Sequence, residues 1–128
     1  DMRFWFWPGV PLQPGDAVRL IPYAPGHRYV LVVNRDSTGR IQVVYPFGGN
    51  SSAPLPEPGE PLEGSLILDE VPGEEDLFAL FSHGPLEAPD AVVWLVEQRG
   101  SAVEARSHVG GQSIGVVHLK LTKEVARP

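Results

Sequence analysis

The chain has 128 residues, 42% apolar and 20% charged, with a net charge of −6, a size and balance that fit one folded domain and exclude a disordered chain. Gly and Pro, 14 each, interrupt the sequence too often for long helices and favour short strands joined by turns. The absence of cysteine excludes disulfides, thiolate nucleophiles and zinc–thiolate sites, and no apolar run approaches the ~20 residues that cross a bilayer as a helix.

Met2 to Trp7 is dense in aromatics, which suit a pleated, half-buried surface, and Pro8-Gly9 stops it, so it predicts a first strand. Pro11 to Asp16 is a turn centred on Pro14-Gly15 that leads into a strand over Ala17 to Ile21, where Val18 and Leu20 alternate with Arg19. Tyr29 to Asn34 and Ile41 to Tyr45, joined through Asp36-Ser37-Thr38-Gly39, make the clearest hairpin, because those turn residues bond their own backbone and Gly accepts positive φ. Pro46 to Gly64 has neither helical nor strand period and reads as a loop with an edge contact. Ser65 to Glu70 and Asp76 to Ser82 are strand-like and predict a second hairpin across Val71-Pro72-Gly73-Glu74-Glu75.

Pro85 to Arg99 places Pro89 and Asp90 in a first turn and Gly100 past the end, which predicts a helix of about ten residues near 89–99, although the run Val92 to Val96 also suits a strand. Ser101 to Gly111 reads as a connection. Ile114 to Thr122 is a last strand, with Val117, Leu119 and Leu121 on one face and His118, Lys120 and Thr122 on the other. Seven or so short strands and one helix predict a mainly β fold, an antiparallel β-sandwich of the immunoglobulin-like kind. A chain that opens at Asp1 with a strand already under way is read as one β-rich domain over residues 1–128, excised from a longer protein.

Charge is distributed unevenly: residues 41 to 98 hold eleven carboxylates and no Lys or Arg. That argues against nucleic acid, which needs a contiguous basic surface. It suits a basic peptide, a cation, or a solvated face. Asp69, Glu70, Glu74, Glu75 and Asp76 flank one predicted turn and are candidate binding residues, without the loop pattern of a dedicated calcium site. Trp5 and Trp7 are the other candidates: Phe4, Trp5, Phe6 and Trp7 alternate in direction, so two rings enter the core while two face out or meet a neighbour. Exposed Trp is favoured at interfaces and sugar-stacking sites. The histidines His27, His83, His108 and His118 show no metal-ligand spacing, so neither a metal nor a cofactor is expected. Gly111-Gln112-Ser113-Ile114-Gly115 matches a nucleophile elbow, but a strand follows where that motif needs a helix, and no Asp lies downstream. No catalytic residue is expected.

The segments Leu12-Gln13-Pro14-Gly15-Asp16-Ala17-Val18-Arg19-Leu20, Tyr29 to Asn34, Gly39 to Pro46, Leu66 to Asp69, Pro72-Gly73 and Phe78-Ala79-Leu80-Phe81-Ser82 together resemble the bacterial domain of unknown function numbered 4384. The likeness spans roughly residues 12 to 86. It implies a sensory or protein-interaction domain attached to bacterial signalling proteins such as kinases, caspase-like peptidases and, closest in wording, membrane-anchored anti-sigma factors, with no catalytic residues to carry over. The resemblance further implies a partner that is another protein or another domain of the same chain; it leaves the side of the membrane open, an extracytoplasmic position being one reading. Asn34 departs from the pattern, standing where an acidic residue often begins the hairpin. A carbohydrate-binding module using Trp5 and Trp7 and a small hydrolase built on Ser113 are the rival readings.

Overall fold

The aromatic and Val-rich runs between Gly and Pro turns become the strands. The computed structural model describes residues 2–8, 11–68, 72–98 and 103–124. Its strands are β1 (Arg3–Trp7), β2 (Ala17–Tyr23), β3 (Tyr29–Arg35), β4 (Ile41–Tyr45), β5 (Ala53–Pro54), β6 (Leu66–Ile67), β7 (Gly73–Ser82), β8 (Arg106–Val109) and β9 (Gln112–Lys123), with one helix, α1 (Ala88–Glu97). They form two antiparallel sheets, β1-β2-β6 and β4-β3-β7-β9-β8, with β5 pairing β3 beside β4.

The sheets pack face to face as a sandwich around a first core that joins Phe4, Val18 and Leu20 to Val30, Val32, Leu77, Ala79, Phe81 and Leu121. A second core lies on the opposite face of the larger sheet, where Leu31, Val33, Phe78, Leu80, Ile114 and Val116 meet Trp94 and Leu95 of α1. β3 and β7 are therefore covered on both faces. That explains why their sequences read as continuous apolar runs and not as alternation.

α1 settles the ambiguous Val92 to Val96 run as helix. Ala88, Ala91, Trp94 and Leu95 are buried at helical spacing, while Val93 and Val96 face out. The Trp94 indole N–H donates to the Ser107 hydroxyl at 2.7 Å, fixing the helix against β8. The long connection 46–64 docks at the start of α1: Ala88 N–H donates to Asn50 O at 2.7 Å, and Leu86 N–H to the Ser52 hydroxyl at 2.8 Å. No helix among the described residues is long and apolar enough to cross a membrane.

Two expectations are corrected. The expected hairpin of 65–70 with 76–82 does not form where it is described: Leu66–Ile67 (β6) pairs β2 in the smaller sheet, and β7 pairs β3 and β9 in the larger one. Leu66 and Leu68 are needed to close the first core, and β7 extends back through Glu74 and Glu75, which meet Lys120 and Lys123 of β9 diagonally across the ladder. The connection 101–111 contains strand β8, which joins β9 through Gly110 and Gly111, both at positive φ (57° and 79°). Such a two-glycine turn matches the twist of an antiparallel pair. The sequence of β8 carries little strand signal, because only Val109 of its four residues is buried.

The β3–β4 turn is held by Asp36, whose carboxylate accepts bonds from the Thr38 hydroxyl (2.6 Å), Thr38 N–H (2.9 Å) and Arg40 N–H (3.0 Å). The Thr38 hydroxyl above all, with the Arg40 and Thr38 amides and the Arg40 charge, holds the Asp36 carboxyl below its ordinary value of 3.8 against the opposing effect of burial. A depressed folded-state value means the turn's contribution is complete above the unfolded value and is lost as pH falls through the folded one. Acid titration followed by urea unfolding is expected to show a shallower loss below pH ~4 in Asp36→Asn than in the native chain. Parallel acid profiles would place the acid sensitivity elsewhere. Past this turn the β3–β4 ladder slips by one residue between Val32 and Val33, leaving Val44 unmatched.

Candidate functional site

The outer face of the smaller sheet is set by strict alternation along two strands. In β1 the inward positions are Phe4, buried, and Phe6, half-buried, so Arg3, Trp5 and Trp7 point away from the core. In β2 the inward positions are Val18 and Leu20, so Ala17, Arg19, Ile21 and Tyr23 share the outer face. The register sets Arg3 opposite Tyr23, Trp5 opposite Ile21, and Trp7 opposite Arg19, while Ile67 of β6 sits opposite Ala17. Trp5 is 40% exposed, Trp7 66% and Ile67 62%.

Residues two apart on a strand lie about 7 Å from each other, and directly paired side chains about 5 Å. Two indoles, a phenol and two aliphatic side chains thus share one face, with Arg3 beside Tyr23 at one end and Arg19 between Ile21 and the Ala17–Ile67 row. None of these outward positions carries a carboxylate, although the chain as a whole is acidic. Trp5 and Trp7 were legible from the sequence. Arg3, Arg19, Ile21, Tyr23 and Ile67 were not singled out, and the signal for most of them was the same alternation, Arg-x-Trp-x-Trp facing Arg-x-Ile-x-Tyr.

The acidic candidates do not converge. Asp69 and Glu70 lie outside the described residues. Glu74, Glu75 and Asp76 sit on β7, where Glu75 points into the sandwich and the other two to the opposite face. Glu75 pairs with Lys123 at 3.0 Å, Glu74 with Lys120 at 3.5 Å, and Asp76 with Arg35 at 3.4 Å and the His118 ring at 2.6 Å. Each carboxylate therefore has a basic partner, and no group of three or more metal-ligating side chains occurs among the described residues.

The other polar motifs are similarly dispersed. His27 and His83 stack at 4.9 Å, while His118 stacks on Phe78 at 4.5 Å. Ser113 lies on β9, exposed and in register with His108 of β8, and among the described residues no hydrogen bond joins its hydroxyl to a histidine. It stands in a hairpin strand, not at the strand-to-helix turn that exposes an elbow serine. Comparison with known proteins finds no matching family model, no matching curated protein and no matching solved structure.

Proposed function

We propose that the chain is a non-catalytic protein-interaction domain that docks its partner on the outer face of the β1-β2-β6 sheet. The observation that carries this reading is the outward placement of Trp5 and Trp7 beside Ile21, Tyr23 and Ile67, with the exposed Arg19 between Ile21 and Ala17. Water-facing aromatic rings of this kind contribute little to the fold, while Trp, Tyr and Arg dominate the energetics of interfaces. The chemistry of the face suits an apolar partner surface bearing carboxylates. The resemblance to domain 4384 supports placing that partner in a bacterial signalling assembly, either on another protein or on a neighbouring domain, with an anti-sigma-factor-like regulator as the specific form.

A carbohydrate-binding module is the second reading, favoured by two indoles on one face of one strand. Trp7→Ala separates the alternatives, because Trp7 is largely exposed and its removal is expected to change unfolding free energy by less than about 0.5 kcal/mol. The native chain used as bait in source-cell extract is expected to retain a defined protein that the Trp7→Ala bait loses, with at least a tenfold drop in affinity once the pair is purified. Equal retention by both baits sinks the interaction reading. Binding to soluble polysaccharides that disappears in Trp7→Ala transfers the face to sugar recognition.

A further inference from the structure

The margins of the two sheets on one side of the sandwich are β4 and β6, and a groove of about 900 Å³ opens there. It is lined by the buried Leu20 and Leu62, the half-buried Val44 and Leu66, and the exposed Phe47 and Glu63. Leu20, Leu62, Val44 and Leu66 all belong to the first core or pack on it, so the groove is a place where the sandwich interior meets water. Its volume is near the upper end for small-ligand sites and accommodates several side chains. Phe47, 94% exposed, extends the apolar surface beyond it.

Two further observations define what fits. Glu63 is the only ionised side chain among the described residues of the lining; Glu57 and Glu60 stand in the same connection, and residues 41 to 68 contain no Lys or Arg. Burial first, and then the Glu63 charge, raise the pKa of the Tyr45 hydroxyl, which also lines the groove, above its ordinary value. The strand edges matter as well: β4 pairs only with β3, and β6 only with β2, among the described residues. Their outer backbone groups can bond an extended chain, whereas a helix satisfies its own.

We propose that the groove between β4 and β6 receives an extended peptide segment, its alternate apolar side chains seated against Leu20, Val44 and Leu66 and a Lys or Arg set against Glu63. This is a second surface, acidic where the Trp face is cationic; Ile67 stands at the margin of both. The unmatched Val44 interrupts β4 as a regular edge, so side-chain seating carries more of the binding than the backbone ladder does.

Selection of displayed random peptides on the immobilised chain provides the probe. The enriched peptides are expected to alternate apolar residues and to carry a cation. By fluorescence anisotropy, Glu63→Lys weakens a labelled peptide by about tenfold and Phe47→Asp weakens it by at least as much, while Trp7→Ala leaves it unchanged. Phe47 and Glu63 are exposed, so circular dichroism of both variants should match the native chain. No enrichment, peptides without a cation, or affinities indifferent to Glu63→Lys and Phe47→Asp overturn the proposal. Loss in Trp7→Ala moves the peptide to the other face and also overturns it. A concentration-dependent dimer in sedimentation that Phe47→Asp dissolves makes the occupant another copy of this chain, and the peptide assignment falls.

Discussion

Lys123→Ala is expected to lower the unfolding free energy by about 3–5 kcal/mol. Lys123 is the last residue of β9, its side chain is 0% exposed, and its ammonium lies 3.0 Å from the carboxylate of Glu75, itself 8% exposed. Glu75 is on the same face of β7 as Leu77, Ala79 and Phe81, so the pair closes one end of the sandwich from within. Removing the cation leaves a carboxylate buried without its counter-charge, and desolvation makes that far worse than losing an exposed ion pair. The paired change Lys123→Met with Glu75→Leu removes both charges and keeps the volume. It is expected to recover part of the loss, because no buried carboxylate is then left at position 75 without a counter-charge. Urea unfolding of the two variants beside the native chain checks this. A loss below about 1 kcal/mol for Lys123→Ala would show that water reaches the pair.

Phe78→Ala is expected to cost about 3–5 kcal/mol in the same measurement. Phe78 is fully buried at the middle of β7, meets the Trp94 ring edge-to-face at 6.1 Å, stacks on His118 at 4.5 Å, and lies under the Arg35 guanidinium at 5.5 Å. The alanine variant opens a cavity between the larger sheet and α1 that its neighbours can fill only in part. It also removes the ring against which His118 rests. The His118 ring protons, shifted by the stacked phenyl in the native chain, are expected to move towards free-imidazole positions in the nuclear magnetic resonance spectrum. Phe78→Leu restores much of the volume and should recover the larger part of the stability, but not the His118 shift.

The strand pattern was readable where one rule dominated. Phe4 to Trp7 gave its two faces directly, and Asp36 to Gly39 announced a turn through side chains that bond their own backbone. Legibility failed where partner choice decided the outcome. Nothing local in Leu66-Ile67 says that it pairs with Ala17-Val18 and not with the strand that follows, because register between distant segments is set by closure of a shared core. The acidic run 74–76 looked like a wet turn because the cations that neutralise it, on β9 and β3, are more than forty residues away. The Trp face was half visible: periodicity identified the two indoles, but the arginines, Ile21, Tyr23 and Ile67 joined them only through the pairing of β1, β2 and β6.

β7 gives Leu77, Ala79 and Phe81 to one core and Phe78 and Leu80 to the other, on consecutive residues of one backbone. Neither hydrophobic compartment can dissolve while this strand keeps its place, and neither can keep its form once the strand is released. A disturbance arriving from α1 is thus felt by the sheet that carries the indoles, through a shared element one residue thick. The two sides of the molecule are therefore expected to melt as one cooperative body.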